Sequence, residues 1–413
     1  MKKEFIKLER WEVLGNRINY TYSYPDSFGK YLKKSSEGQF YVEYPTAYDL
    51  SDVPESVITV PFVAAILSLS MITGNPIEVN QLDEDFYGSL SKMRNVYKKQ
   101  FPYIDFCFDV KVVGGVKKHN NNAGKAKSVF FTGGLDATSA LVEKAHEKVM
   151  LVNIWGGDVS ISQEKSHEEL DRYMARLTQS LDLSYLFIKS NIREMYNEPL
   201  ISKYTAFKVN PAQNHGWWAN FAHIISMTSL LAPLIYQRDI DVHYIGSSYD
   251  GLTIDANNDD LVDAIKILGC RMEMVDSTMG RIEKAGKMIT FSEQNHIPLS
   301  LKVCWYAKDG VNCSHCEKCY RTILEILVNR GNPNDYGFLV DKETYKNMHK
   351  FLKTTYVNAG FYKPIFNKFI EDRAFWENKT DLSWILTLKL NGINARIHRV
   401  IYLGNKLVHF LKK

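Results

Sequence analysis

Four short apolar segments in the middle of the chain are separated by stretches with a helical pattern. The segments are SVFF from Ser128, VMLVNI from Val149, YLFI from Tyr185 and VHYIG from Val242. Strands that alternate with helices pair side by side in parallel, and the helices cover the faces of the sheet. The sequence therefore predicts an α/β fold, and sheets of this kind place ligands at the carboxyl ends of their strands.

The chain has 413 residues, which is more than one compact domain usually contains. Its first part alternates tyrosine-rich strand patterns, such as INYTYSYP and GQFYVEYP, with helical patterns. The asparagine run Asn120–Asn122 then interrupts any periodicity and predicts a boundary. We expect an N-terminal α/β domain of unknown role over residues 1–122, a core domain over residues 123–330 and a mainly helical C-terminal extension over residues 331–413.

The first apolar segment runs into a turn with two adjacent glycines and then into a helical pattern that begins at Thr138. Glycines let backbone N–H groups approach a phosphate closely, and the start of the next helix favours an anion. Neither the Walker pattern GxxxxGK[ST] nor GxGxxG is present here. A carboxylate beside a phosphate is unfavourable unless a cation such as Mg²⁺ lies between them. Asp136 in this turn therefore indicates a metal-bridged pyrophosphate.

Four of the six cysteines are clustered near residue 310 with the spacing C-x8-C-x2-C-x2-C. Four thiolates suit a tetrahedral Zn²⁺ ion, and a site with four protein ligands is structural because it leaves no open position. An iron–sulfur cluster could use the same ligands. His315, between two of the cysteines, is interpreted as a loop residue. The predicted metal ligands are Cys304, Cys313, Cys316 and Cys319.

The glycine turn reads TGGLDAT over residues 132–138 and resembles the SGGxDS signature of the PP-loop ATP pyrophosphatase superfamily, whose sheet is Rossmann-like, of the HUP type. Together with the cysteine spacing, it makes residues 125–330 similar to the 7-cyano-7-deazaguanine synthase family. The resemblance implies a C–N bond-forming ligase that binds ATP, Mg²⁺ and Zn²⁺. Such an enzyme adenylates a carboxylate or an amide, releases pyrophosphate and lets ammonia or another nucleophile attack. Ala137 replaces the second serine of the signature, and Thr138 supplies the next hydroxyl.

The resemblance also assigns roles to individual residues. Asp136, Arg281 and Lys284 are the expected catalytic residues, and the two cations would neutralise pyrophosphate. The expected nucleotide-binding residues are Thr132, Gly133, Gly134, Leu135, Asp136, Thr138 and Asn153, together with Gly246 and Ser247, which are expected there because they end a strand of the predicted parallel sheet. A solvated acidic loop after Gly246 and a salt-bridged surface helix around Arg281 are the alternatives for those two segments. His215 and His223, beside two tryptophans, are expected to pack in the core or at an interface.

Two rival functions stay open at this stage. A net charge of only +4 does not by itself hold a polyanion, but the basic C-terminal stretch from Leu388 could hold tRNA in an RNA-modifying enzyme of the same superfamily. A non-catalytic nucleotide-binding protein, in which Ala137 marks lost chemistry, is the second rival. Packing of the C-terminal stretch against the domain is preferred to a membrane-surface role.

The remaining expectations concern partners and location. The longest apolar runs, from Val60 and from Ala222, are shorter than a membrane-spanning helix needs and predict buried helices. The basic N-terminus has no apolar segment of a signal peptide, so we expect a cytoplasmic protein without a membrane span. The expected partners are a small-molecule substrate and an external source of ammonia, and a homodimer stays open.

Overall fold

The computed structural model describes residues 4–36, 39–102, 104, 106, 108–119, 125–206, 216–248, 258–304, 306–307, 309–393, 395–397 and 399–400. The chain forms two compact units. The first comprises Met1–Thr132 and Asp136–Thr278, and the second comprises Gly133–Leu135 and Met279–Lys413.

Thirteen strands are present in the described part of the first unit, and eleven of them form one sheet. The strands are β1 (Ile6–Leu14), β2 (Arg17–Ser23), β3 (Gln39–Glu43), β4 (Ile77–Val79), β5 (Leu82–Asp83), β6 (Val110–Val112), β7 (Val116–Lys117), β8 (Ala126–Phe130), β9 (Met150–Trp155), β10 (Tyr185–Ser190), β11 (Ile240–Gly246), β12 (Lys266–Ile267) and β13 (Cys270–Val275). The order in the sheet is β12-β13-β11-β8-β9-β10-β3-β2-β1-β4-β6, and β5 pairs with β7 separately.

Helices connect the strands of the first unit and make up most of the second. They are α1 (Asp26–Gly29), α2 (Glu55–Thr73), α3 (Glu84–Gln100), α4 (Leu135–Lys144), α5 (Glu164–Leu181), α6 (Glu198–Ala206), α7 (His223–Ser229), α8 (Ala232–Arg238), α9 (Asp259–Ala264), α10 (Arg281–Asn295), α11 (Glu317–Val328), α12 (Lys342–Thr354), α13 (Ala359–Glu371) and α14 (Arg373–Trp376). A π-helical turn, Trp218–Ala222, precedes α7.

The central strands confirm the predicted α/β fold with a large, mostly parallel sheet. Strands β10, β9, β8, β11 and β13 are neighbours in that order, and each pair among them is parallel. β8, β9 and β11 are buried along most of their length, as is typical of strands covered on both faces. In chain order, β9 and β10 extend the sheet on one side of β8, and β11 and β13 then extend it on the other side. The HUP-type assignment stays a prediction.

The N-terminal strands belong to the same sheet as the central ones. β3 pairs antiparallel with β10, where Lys189 faces Glu43 and Ser190 faces Val42. The asparagines of the predicted boundary, Asn120–Asn122, lie outside the described residues. Strands from both sides of that boundary therefore share one hydrogen-bonded sheet, and the predicted three-domain layout stays a prediction.

Both long apolar runs form buried helical segments, as predicted. α2 is 19 residues long and 94% of its most apolar window is buried, and the segment Trp218–Arg238 is 89% buried. The length expected from the sequence was wrong, because each helical segment is long and apolar enough to cross a membrane. Core helices pass the same test, so neither is clear evidence of a span. The second segment is less regular than predicted, because the π-helical turn, α7 and α8 divide it.

Part of the C-terminal stretch is exposed. Ile393, Ile397 and Val400 expose 77%, 51% and 69% of their surface. Residues 401–413, which contain the rest of the basic stretch, lie outside the described residues, as does His215. His223 is partly buried, and its ring lies edge-on to Trp218 at 5.8 Å between centroids, in agreement with the expected packing role.

Candidate active site and metal centre

The glycine turn connects β8 to α4. The backbone that leads into the turn is held in place because Phe131 N–H donates to the Val152 carbonyl at 2.8 Å. Gly133 has φ +74°, a backbone conformation that side chains with a Cβ rarely adopt. The helix was predicted to begin at Thr138, but it begins at Leu135, because the glycines reverse the chain within fewer residues. The first-turn N–H groups of α4 therefore follow the turn directly, as an anion site requires.

Thr138 has the most informative environment in this turn. Its side chain is fully buried, and its Oγ1 has no hydrogen-bond partner among the residues that the structure describes. An unpaired buried hydroxyl costs about 1–3 kcal/mol, and groups of this kind are found where a ligand or a water binds. Asp136 lies in the same first turn of α4. The turn thus contains a buried donor and a carboxylate close together in sequence.

The end of β11 approaches the start of α4. A Cβ added to Gly246 would lie 2.5 Å from the Asp136 carbonyl oxygen, so only glycine fits at this position. Ser247 N–H donates to the Val275 carbonyl at 3.0 Å. The structure thus brings the predicted residues Asp136, Gly246 and Ser247 to the carboxyl ends of β8 and β11. The chain changes direction between these two strands, and this is where open α/β sheets bind ligands.

A contact that the sequence did not predict lies at the same edge of the sheet. Ser139 Oγ donates to Asp276 Oδ2 at 2.5 Å. Asp276 directly follows β13 and has φ +61°. The position of Asp276 directly after a parallel strand is the sequence signal that could have indicated this contact.

Asn153 was predicted to contact the nucleotide, and its side chain contacts the turn. The residue is 3% exposed in β9, and its Nδ2 donates to the Phe131 carbonyl at 2.8 Å. The amide therefore holds the last residue before Thr132 against the neighbouring strand. Any direct role toward a nucleotide stays a prediction.

Beyond the ends of β9 and β10 lies a polar cavity of about 240 Å³. Three of its charged lining residues, Arg193, Glu194 and Glu198, have hydrogen-bond partners. Arg193 donates to both carboxylate oxygens of Glu198 at 2.8 and 3.1 Å, and Glu194 Oε1 accepts from Ser160 Oγ at 2.6 Å.

Arg281 and Lys284 lie in α10 of the second unit. Arg281 Nε is 3.1 Å from Glu325 Oε1, in a pair whose side chains are 12% and 2% exposed. Arg281 also donates to Thr322 Oγ1 at 3.3 Å. Lys284 is fully buried. Arg281 is therefore salt-bridged, as in the alternative interpretation, but the pair and Lys284 are mostly buried and do not lie on the surface. The role of both cations toward pyrophosphate stays a prediction.

The four predicted cysteines converge, and their Sγ atoms all lie within 4.8 Å of one another. Cys304 Sγ is 3.9 Å from Cys316 Sγ, and Cys313 Sγ is 3.8 Å from Cys319 Sγ. Four sulfurs at about 2.3 Å from one tetrahedral ion would lie about 3.8 Å apart. The cluster could therefore bind a metal ion.

The start of α11 organises this centre. Cys316 is the N-cap of the helix, and its Sγ accepts from Cys319 N–H at 3.5 Å. The hydrogen bond between the two thiols, with burial, raises the pKa of Cys319. The four thiols therefore do not all ionise together unless a cation neutralises them. His315 is exposed, and its Nδ1 lies 2.6 Å from the Cys313 carbonyl, which agrees with a loop residue.

Two further residues next to the cysteines were missed. Asn312 makes hydrogen bonds to four backbone groups around Cys304. Lys302 N–H donates to the Gly133 carbonyl at 2.7 Å. The position of Asn312 directly before Cys313 is the only sequence signal for either.

Comparison with known proteins gives no further assignment. No protein-family model matches the chain, and neither the curated proteins nor the solved structures contain a significant match.

Proposed function

We propose that this chain is an ATP-dependent adenylating enzyme, which cleaves ATP to AMP and pyrophosphate in order to activate a carboxylate or an amide. The observation that supports it best is the buried hydroxyl of Thr138, which has no partner among the described residues and follows a glycine turn at the strand-order reversal. A phosphate oxygen is an acceptor of suitable size and charge for that hydroxyl and for the first N–H groups of α4.

The proposed reaction has two steps. A substrate oxygen attacks the α-phosphorus of ATP, the bond to the β-phosphate oxygen breaks, and pyrophosphate leaves with Mg²⁺. Ammonia or another nucleophile then attacks the activated carbon, AMP leaves with the bonding electrons, and the nucleophile loses a proton. Asp136 would hold Mg²⁺ on the phosphates, and backbone N–H groups of the turn would stabilise the developing charge.

We further propose that the four cysteines hold one structural zinc ion. The separations of 3.8 and 3.9 Å are those of sulfurs around a single ion. In an iron–sulfur cluster the four thiolates bind different iron atoms, so their sulfurs do not all lie so close together. Metal analysis of the purified protein, with its visible absorption spectrum, distinguishes the two: zinc gives no absorption band, and an iron–sulfur cluster does.

The nucleotide proposal is tested by calorimetric titration with Mg·ATP and by mass detection of AMP formed with candidate carboxylates. We expect micromolar to millimolar binding, and we expect Asp136→Asn to remove pyrophosphate release. Asp182→Asn is the matched control, because Asp182 is an exposed acid whose only described partner is Lys148. A wild-type protein that gives no binding heat, or an Asp136→Asn variant that releases pyrophosphate at the control rate, would overturn the proposal.

A further inference from the structure

The side chain of Asn312 uses all of its hydrogen-bonding groups on backbone. Its Oδ1 accepts from Val303 N–H at 3.0 Å and from Cys304 N–H at 3.2 Å. Its Nδ2 donates to the carbonyls of Leu301 and Gly337, both at 2.8 Å. The residue is 5% exposed. A buried amide that donates two hydrogen bonds through its nitrogen and accepts two through its oxygen is held in one orientation. The backbone groups that it binds are held in place as well.

This arrangement fixes the most distant metal ligand. Cys313, Cys316 and Cys319 lie on the turn that leads into α11, whereas Cys304 comes from a separate segment. Asn312 directly precedes Cys313 and binds the N–H of Cys304. One side chain therefore sets the position of both ends of the C-x8-C spacing.

The segment that contains Cys304 also holds the glycine turn. Lys302, two residues before Cys304, donates its N–H to the Gly133 carbonyl at 2.7 Å. The carbonyl of Gly133 and the N–H of Gly134 belong to one planar peptide group, which is trans. Fixing the carbonyl toward Lys302 therefore directs the Gly134 N–H to the opposite side.

We propose that Asn312 is a positioning residue through which the four-cysteine centre sets the orientation of the Gly133–Gly134 peptide. Asn312 holds the segment Leu301–Cys304, as Cys304 would when bound to a metal, and that segment holds Gly133. The consequence for ATP rests on the proposed function, since the Gly134 N–H is one of the groups that would face a phosphate. The hydrogen bond between Lys302 and Gly133 itself does not depend on that function.

The direct test is hydrogen exchange at the Lys302 amide in the full-length protein. We compare the metal-loaded wild type, the wild type after chelation, and the variants Asn312→Ala and Asn312→Asp. The aspartate keeps the two accepted hydrogen bonds and turns an oxygen toward the carbonyls of Leu301 and Gly337, whereas the alanine removes all four hydrogen bonds without adding repulsion. A change that both variants share therefore follows from the lost hydrogen bonds. Asn391→Ala is the matched control, because Asn391 is also buried and bonds both backbone groups of Val357 at 2.9 Å.

We expect exchange at Lys302 to be about 10-fold faster in the chelated protein and in both Asn312 variants, which corresponds to about one hydrogen bond. It should be unchanged in Asn391→Ala. Chelators should also remove the metal about 10-fold faster from the Asn312 variants. Wild-type protection of Lys302 in the chelated protein and in the folded Asn312 variants would overturn the inference.

Titration with Mg·ATP separates this inference from the proposed function. We expect the affinity to fall about 10-fold in Asn312→Asp and to stay unchanged in Asn391→Ala. The coupling to the nucleotide would be refuted by an Asn312→Asp protein whose Lys302 amide exchanges faster but which binds Mg·ATP like the wild type. If the wild type binds no ATP, the proposed function fails, and the exchange at Lys302 still decides whether Asn312 positions the turn.

Discussion

Thr138 allows a test in which stability and binding should change in opposite directions. The Thr138→Val substitution keeps the shape of the side chain and removes a hydroxyl that has no partner among the described residues. An unsatisfied buried hydroxyl costs about 1–3 kcal/mol, so the ligand-free variant should be more stable than the wild type by about 1 kcal/mol or more. A hydrogen bond to a charged phosphate contributes about 1.5–3 kcal/mol, so Mg·ATP should bind about 10- to 100-fold more weakly.

Urea unfolding of the ligand-free proteins and calorimetric titration with Mg·ATP measure the two effects. Thr228→Val is the matched control, because Thr228 is equally buried but its hydroxyl donates to the Ile224 carbonyl at 2.7 Å. The control should be unchanged or slightly destabilised, with unchanged ATP affinity. A Thr138→Val protein that is less stable than the wild type and binds ATP equally well would refute the reasoning.

Three further predictions follow from the geometry. Chelation of the metal, or Cys319→Ser, should lower the thermal stability of the second unit, because the clustered thiols then lack their cation. Hydrogen exchange of amides in that unit, measured at increasing temperature, follows the effect. Gly246→Ala should destabilise the first unit by about 2 kcal/mol or more in urea unfolding, because its Cβ would lie 2.5 Å from the Asp136 carbonyl oxygen, whereas Gly88→Ala, with open space, should not. Burial lowers the pKa of His243 to about 3, below the unfolded value of about 6.5. Its contribution to stability is therefore complete above pH 6.5 and falls by about 1.4 kcal/mol per pH unit below it. Urea unfolding of His243→Gln between pH 5 and 7 should lack that decline, and equal slopes in both proteins would contradict the assignment.

The central part of the fold could be predicted because its signals are local. Each of the strands β8, β9 and β11 is a short apolar run, and the glycine turn directly follows the first of them. The cysteine cluster was predicted for the same reason, since three of its four ligands lie within seven consecutive residues, Cys313–Cys319. Periodicity and spacing describe neighbours in sequence, and these features are determined by neighbours in sequence.

The features that the sequence did not predict depend on distant partners. Asn312 contacts Leu301 and Gly337, which are 11 and 25 residues away, and no local pattern distinguishes it from any other loop asparagine. The pairing of Glu43 with Lys189 likewise joins segments on opposite sides of the predicted boundary. Tertiary packing selects such pairs after the local elements have formed, so a single sequence gives little information about them.

The tyrosines of the N-terminal segment show how that segment packs against the core. The hydroxyl of Tyr44 donates to the Leu230 carbonyl at 2.8 Å, and that of Tyr97 donates to the Phe221 carbonyl at 2.7 Å. Both side chains are at most 2% exposed, and their acceptors lie in the apolar segment Trp218–Arg238 that leads into β11. A buried phenol with its hydroxyl paired packs in a core and is not available to a ligand. The N-terminal segment therefore packs against the helical segment that leads into β11, the strand that ends at Gly246.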